Sequence, residues 1–292
     1  MKQRVIIVIS LMLMIIFGFV TGNHIKSVRQ KKVMAGFAAL TAKKDLTVSE
    51  VVKYLDKHII GVSGENASNL VLGLERVQQT NLAKWQEHYA DSALQEKIRG
   101  CYQSEWTREK LDSIVDEDLR GILQETINNG YKIETAEGFY FPVIDYTFYQ
   151  KYQSAVGPDL AAYLELMAVE SERTPAKDAA LVIGWDEILK RAEGQERFIK
   201  EYESSSQVQT VRQLLRRYVT FALYGCDNTP LFSYQAKQMR PEARRVYEEY
   251  VLNAEKGDFS ALIKEYLNVL AANDYRLTAE VDAYRKNALS GW

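Results

Sequence analysis

Apolar residues recur at helical spacing along most of this chain. Val48, Val51, Val52, Leu55 and Ile59 form one stripe behind Thr47-Val48-Ser49-Glu50. There a hydroxyl and a carboxylate stand three positions apart, as a capping box requires. Gly61 marks the stop, and Ser63 to Asn66 reads as a turn. A long helix is expected from near Ser68, with Leu70, Leu74, Val77, Trp85 and Tyr89 on one side, and Ser92 begins another. Thr107 opens a helix whose inner face is Leu111, Ile114, Val115, Leu119, Ile122 and Leu123. Asn128-Asn129-Gly130 closes it with residues that accept left-handed backbone.

The pattern changes after Gly130. Tyr131–Thr135 and Phe139–Ile144 are rich in aromatic and β-branched residues, and Ala136-Glu137-Gly138 separates them. This predicts the one β-hairpin of the chain, near 131–144, with Pro142 confining its second arm to an edge. Helices resume at Asp145 and near Pro158. Thr174-Pro175 reads as a cap followed by proline at the first helical position, starting a helix that runs to about Tyr202. Val208–Tyr224 is the next helix and stops at Gly225, Asp227–Pro230 is a loop, and three helices fit near 241–255, 258–272 and 278–288. The expectation is an all-α, compact multi-helix domain of about nine or ten helices with one small hairpin. No fixed-period repeat is visible, so a solenoid is disfavoured.

The leading segment departs from this amphipathic pattern. Met1-Lys2-Gln3-Arg4 is basic, and Val5–Val20 is apolar without a charge. As a helix the run spans roughly 24–27 Å, between the 7–15 residues or so of a secretory signal and the roughly 30 Å of a hydrocarbon core. Val20-Thr21-Gly22 offers small residues for cleavage before Asn23, while Lys26, Arg29, Lys31 and Lys32 follow the run. The sequence therefore divides into an anchor or signal segment (1–22), a basic juxtamembrane segment (23–46) and a helical extracytoplasmic domain (47–292), itself divisible at 130/131. Secretion after cleavage and an anchor with the domain inside are the alternatives. The membrane, reached through the N-terminal segment, is the first expected partner. A protein or a cell-wall component is the second.

Composition narrows the chemistry. The chain carries a net charge of −2, with no basic patch beyond the membrane-proximal run, so nucleic acid is not an expected partner. Its only histidines are His24, His58 and His88, without metal-site spacing, and Gly61-Val62-Ser63-Gly64 lacks the Lys-Ser/Thr of a phosphate loop. Neither a metal nor a cofactor is expected, and no catalytic motif is found. Cys101 and Cys226 could pair in an oxidising compartment. Eight aromatic residues crowd Tyr131–Tyr152. Tyr140, Phe141, Tyr146 and Tyr149, with Asp145, are the candidate binding residues, because tyrosine joins a flat apolar face to a hydroxyl. The competing view is that these rings fill a seam. The functional expectation is a membrane-associated, extracytoplasmic binding protein of the cell envelope without catalytic activity. The alternative is a glycan hydrolase using paired carboxylates, drawn from Glu137, Asp145, Glu165 and Glu170.

Overall fold

A computed structural model describes residues 27–102, 106 and 108–292. The segment read as an anchor or signal lies outside them. Among the described residues, no helix is long and apolar enough to cross a membrane. The chain is mostly helical with small β-hairpins and divides into two units. One comprises the described residues up to Ile133 with Phe141–Ile144 and Lys151–Gly157; the other comprises Glu134–Tyr140, Asp145–Gln150 and Pro158–Trp292.

In the first unit, α1 (27–41) is followed by α2 (Val48–His58), a 3-10 turn at Ile59–Gly61, α3 (Gly64–Tyr89), α4 (Ser92–Cys101), α5 (Arg108–Asp112) and α6 (Glu117–Asn128). The capping box at Thr47 and Glu50 forms as its sequence predicts. The expected turn at 63–66 is instead the first turn of α3, because the Ser63 hydroxyl accepts from the Asn66 N–H and starts the helix early. The single helix expected from Thr107 is two. Asp116 caps Leu119 and begins α6 anew, which leaves Val115 91% exposed rather than inward. Gly73 lets α1 approach α3 closely, since a Cβ there would stand 2.5 Å from the Phe37 ring. Long-range hydrogen bonds then fix the unit. Tyr54 donates to Val33 O at 2.7 Å, Gln78 to Asn129 O at 2.7 Å, and Tyr152 to Asp56 at 2.7 Å.

The hairpin forms where expected, as β1 (Tyr131–Ala136) and β2 (Phe139–Ile144). Glu137 and Gly138 both have positive φ, as a two-residue primed turn demands. Asp145 does not begin an α-helix. It accepts from the Thr147 N–H and hydroxyl, at 3.0 and 2.7 Å, and leads into a 3-10 segment, Tyr146–Tyr152.

The second unit holds α7 (Pro158–Glu172), α8 (Trp185–Glu201), α9 (Val208–Tyr224), α10 (Pro241–Asn253), α11 (Asp258–Ala272) and α12 (Ala279–Ser290). Thr174-Pro175 does not start a helix. Ala176–Lys177 (β3) and Ala180–Leu181 (β4) pair around Asp178-Ala179, both at positive φ, and α8 begins only at Trp185. A second minute hairpin, β5 (Gly225–Cys226) with β6 (Thr229–Pro230), replaces the expected loop. The two hairpins brace each other. Asn228 N–H donates to Ala179 O at 2.8 Å, its side-chain amide to Asp178 O at 2.7 Å, and Leu181 N–H to the Thr229 hydroxyl at 3.2 Å. These contacts hold Ala179 in a conformation that its own side chain disfavours.

Helices α8 and α9 carry the core of this unit through Ile188, Leu189, Ala192, Val211, Val219 and Leu223. The last carbonyls of α9 lack helical partners. The buried hydroxyls of Tyr247 on α10 and Tyr266 on α11 donate to two of them, Ala222 O and Leu223 O. These are the tyrosines of a polar-lined core, each pushed above its ordinary pKa by burial.

Candidate functional site

A cavity of about 850 Å³ in the second unit is an open groove lined by α8, α9, α11 and α12. Ile199, Leu215, Leu262 and Trp292 supply its apolar lining; Glu196, Glu203, Asp258 and Glu265, with Lys200 and Arg212, supply its charged lining. Acidic groups therefore outnumber basic ones. Trp292 packs edge-on against Phe259, with centroids 6.2 Å apart, and Arg216 donates to Trp292 O at 3.0 Å. These contacts fix one wall. Tyr284 stacks on Tyr266 at 5.6 Å and fixes another.

Glu196 organises the groove floor. Its Oε1 accepts from the Asp258 N–H at 2.6 Å, the Phe259 N–H at 3.2 Å and Lys200 Nζ at 2.9 Å. A buried carboxylate on α8 thus caps the N-terminus of α11, where unpaired N–H groups and the helix dipole favour negative charge. Gly257 makes room for it, since a Cβ there would stand 2.2 Å from Glu196 Oε2. Glu196→Ala is expected to cost about 1–2 kcal/mol. Chemical denaturation checks the loss, and the exchange rates of the Asp258 and Phe259 amides should rise with it.

On another side of α8, a cleft of about 440 Å³ is lined by residues of α7 and α8, together with Tyr202. Two of the carboxylates singled out from sequence, Glu165 and Glu170, line it. Glu165 is exposed and Glu170 is buried. Glu170 accepts from the Tyr218 hydroxyl, from Arg191 at 3.4 Å and from Arg217 at 3.5 Å. Burial raises its pKa, although all three donors oppose the rise. Arg191 also binds Glu187 at 2.8 Å and Arg173 O at 2.9 Å. Glu170 is thus committed to a tie between α7, α8 and α9.

The other sequence candidates lie elsewhere. Glu137 sits in the β1–β2 turn. Asp145 is engaged by Thr147 and by the Ser171 hydroxyl at 3.4 Å. Tyr149 is wholly buried, and Tyr140 and Tyr146 nearly so. Tyr146 stacks on Tyr149 at 5.6 Å and meets Tyr163 edge-on at 6.3 Å. Their rings are packing surface in this structure. Phe141 is half-buried and belongs to the first unit, whereas Tyr140, Asp145, Tyr146 and Tyr149 belong to the second. Cys101 and Cys226 are both free thiols, and burial pushes each above the usual range. Among the described residues, no group of histidine, cysteine and carboxylate side chains is disposed to hold a metal ion.

Sequence reasoning missed the groove because its lining comes from four helices spread over about a hundred residues. One local signal was available for the cleft: Gly194 lies inside α8, where glycine is a poor helix former. Compared with protein-family models, with curated proteins and with solved structures, the chain matches none.

Proposed function

We propose that this chain is a membrane-associated, extracytoplasmic binding protein of the cell envelope. In this reading the groove of α8, α9, α11 and α12 receives a partner segment that brings apolar and basic side chains. The observation that carries it is the groove itself, with its apolar lining and its excess of carboxylates. Such a surface favours a complementary partner through burial at its centre and through charge at its rim. The uncharged run Val5–Val20 and the basic residues behind it support the membrane location.

Photo-crosslinking in whole cells tests the reading. A photoreactive residue at Ala261, which is exposed and lines the groove, should give discrete adducts. The same residue at Arg245, exposed and outside the groove, should give none. Reversing both Glu203 and Glu265 to lysine should reduce the Ala261 adducts at least tenfold, with stability unchanged to within about 0.5 kcal/mol. Equal labelling at Ala261 and Arg245 would show that the groove does not receive the partner. Release of soluble fragments from purified wall polymer by the full chain would favour the glycan-cleaving alternative.

A further inference from the structure

We infer that the end of the first unit where α1 begins and α2 turns into α3 is a second membrane contact, one that docks on a bilayer containing anionic lipid. This contact deepens the proposed membrane location and rests on the reading of Val5–Val20 as a membrane segment. The guanidinium of Arg29, on α1, lies over the α2–α3 turn, since a Cβ added at Gly61 would stand 3.0 Å from its Nη2. The Asn66 side-chain amide, in the first turn of α3, donates to Gln30 Oε1 at 2.8 Å and ties the two helices together there. Within the turn Ile59 is buried, whereas Ile60 is 91% exposed. Val28, in the first turn of α1, is 53% exposed.

Cations flank the exposed isoleucine. Arg29, Lys31 and Lys32 are exposed on α1, and Lys57 is exposed in the last turn of α2. Burial, then the charges of Lys57 and Arg29, lowers the pKa of His58, so both cations stand close to the turn. Opposing charge is scarce. No carboxylate occurs in the sequence before Asp45. Asp56 is bound to Lys151 and Tyr152, which leaves Glu65, exposed in the first turn of α3. Single exposed apolar side chains are ordinary, and two others show what sets Ile60 apart. Val115 is also 91% exposed, and Leu252 is 84% exposed. Val115 stands between Asp112 and Asp116-Glu117-Asp118, and Leu252 between Glu248-Glu249 and Glu255. An anionic surface repels those two settings and attracts the first. A bilayer offers both complements at once, phosphate groups for the cations and an acyl boundary just beneath them for the isoleucine. Val20 stands seven positions before Ser27, so the first turn of α1 lies within roughly 25 Å of the end of the apolar run.

The test uses the full chain with Cys101 and Cys226 changed to serine. A single cysteine, from Ile60→Cys, Val115→Cys or Leu252→Cys, carries an environment-sensitive nitrobenzoxadiazole probe. The chain is reconstituted into vesicles of phosphatidylcholine, alone or with one quarter phosphatidylglycerol, and flotation is measured alongside. In the mixed vesicles the probe at position 60 should shift to the blue and be quenched by lipids spin-labelled near the top of the acyl chain. Quenching should be several-fold weaker in phosphatidylcholine alone, and absent at positions 115 and 252. Arg29→Glu combined with Lys57→Glu should weaken quenching at position 60 at least fivefold, with flotation and the circular-dichroism spectrum unchanged. A chain that floats while its position-60 probe stays in water would overturn this contact and leave the membrane location standing. A chain that does not float would overturn both. Equal quenching at the three positions, or quenching indifferent to phosphatidylglycerol, would also overturn the contact. A probe that responds to soluble polyglutamate but not to vesicles would overturn it too, by making an acidic protein the occupant.

Discussion

Arg191→Met is expected to destabilise the second unit by about 3–5 kcal/mol. The guanidinium is buried and serves Glu187, Glu170 and Arg173 O at once. Its removal leaves the Glu170 carboxylate desolvated with only Tyr218 and the more distant Arg217. A buried charge stripped of one of its partners costs more than the pair was favourable. The effect has a pH signature. Burial holds the Glu170 pKa above the ordinary value of 4.5. A carboxyl group whose folded pKa is raised contributes its full stability below the unfolded value and loses it as pH climbs through the folded value. Loss of a neighbouring cation raises the folded pKa further, so the Arg191→Met penalty should shrink toward low pH and grow toward neutrality. Urea unfolding of wild type, Arg191→Met, Glu170→Gln and the double variant between about pH 4.5 and 8 checks this. Glu170→Gln should show a flatter profile than wild type. A penalty independent of pH would mean that Glu170 does not titrate against Arg191.

Tyr149→Ala is expected to cost a comparable amount, about 3–5 kcal/mol, as for other large buried rings. Tyr149 has no exposure, stacks on Tyr146 and touches Phe148 edge-on with centroids 6.1 Å apart. Thermal unfolding followed by circular dichroism should show a clear fall in midpoint. An unchanged midpoint would return the tyrosine-rich segment to the surface and to its sequence-based role in binding.

Local signals in the sequence predict a good part of this fold. Thr47 and Glu50 cap α2 as their spacing requires, Glu137-Gly138 turns the hairpin, and Gly225 ends α9 at φ 76°. The readings that fail do so where distant contacts decide. Thr174-Pro175 carries strong helix-start chemistry, but Asn228, some fifty residues on, binds the Asp178-Ala179 turn and selects a hairpin. Asp116-Glu117-Asp118 carries helix-start chemistry for α6, masked by the apolar stripe that continues through Val115. Ser63 suits a turn and a helix cap alike, and its hydroxyl accepting from the Asn66 N–H makes it the cap of α3. The tyrosine-rich segment stands out in composition, yet composition does not say which way a ring faces. In the structure, Tyr140, Tyr146 and Tyr149 turn inward. The carboxylates Glu165 and Glu170 could be named from sequence, but not their shared cleft or the Arg191 tie, which need α7, α8 and α9 to be assembled. The groove is invisible in one dimension for the same reason.

The proposal that the helical chain binds its partner outside the cytoplasm meets its most direct test in one labelling measurement. Ser290, exposed near the end of α12, is replaced by cysteine in a chain in which Cys101 and Cys226 are changed to serine. Whole cells are then treated with a membrane-impermeant thiol reagent, with membrane fractionation alongside. Labelling before lysis, in the membrane fraction, is the expected result. Labelling only after lysis would contradict it: the groove would then face cytoplasmic partners, and an extracytoplasmic role in the envelope would be lost.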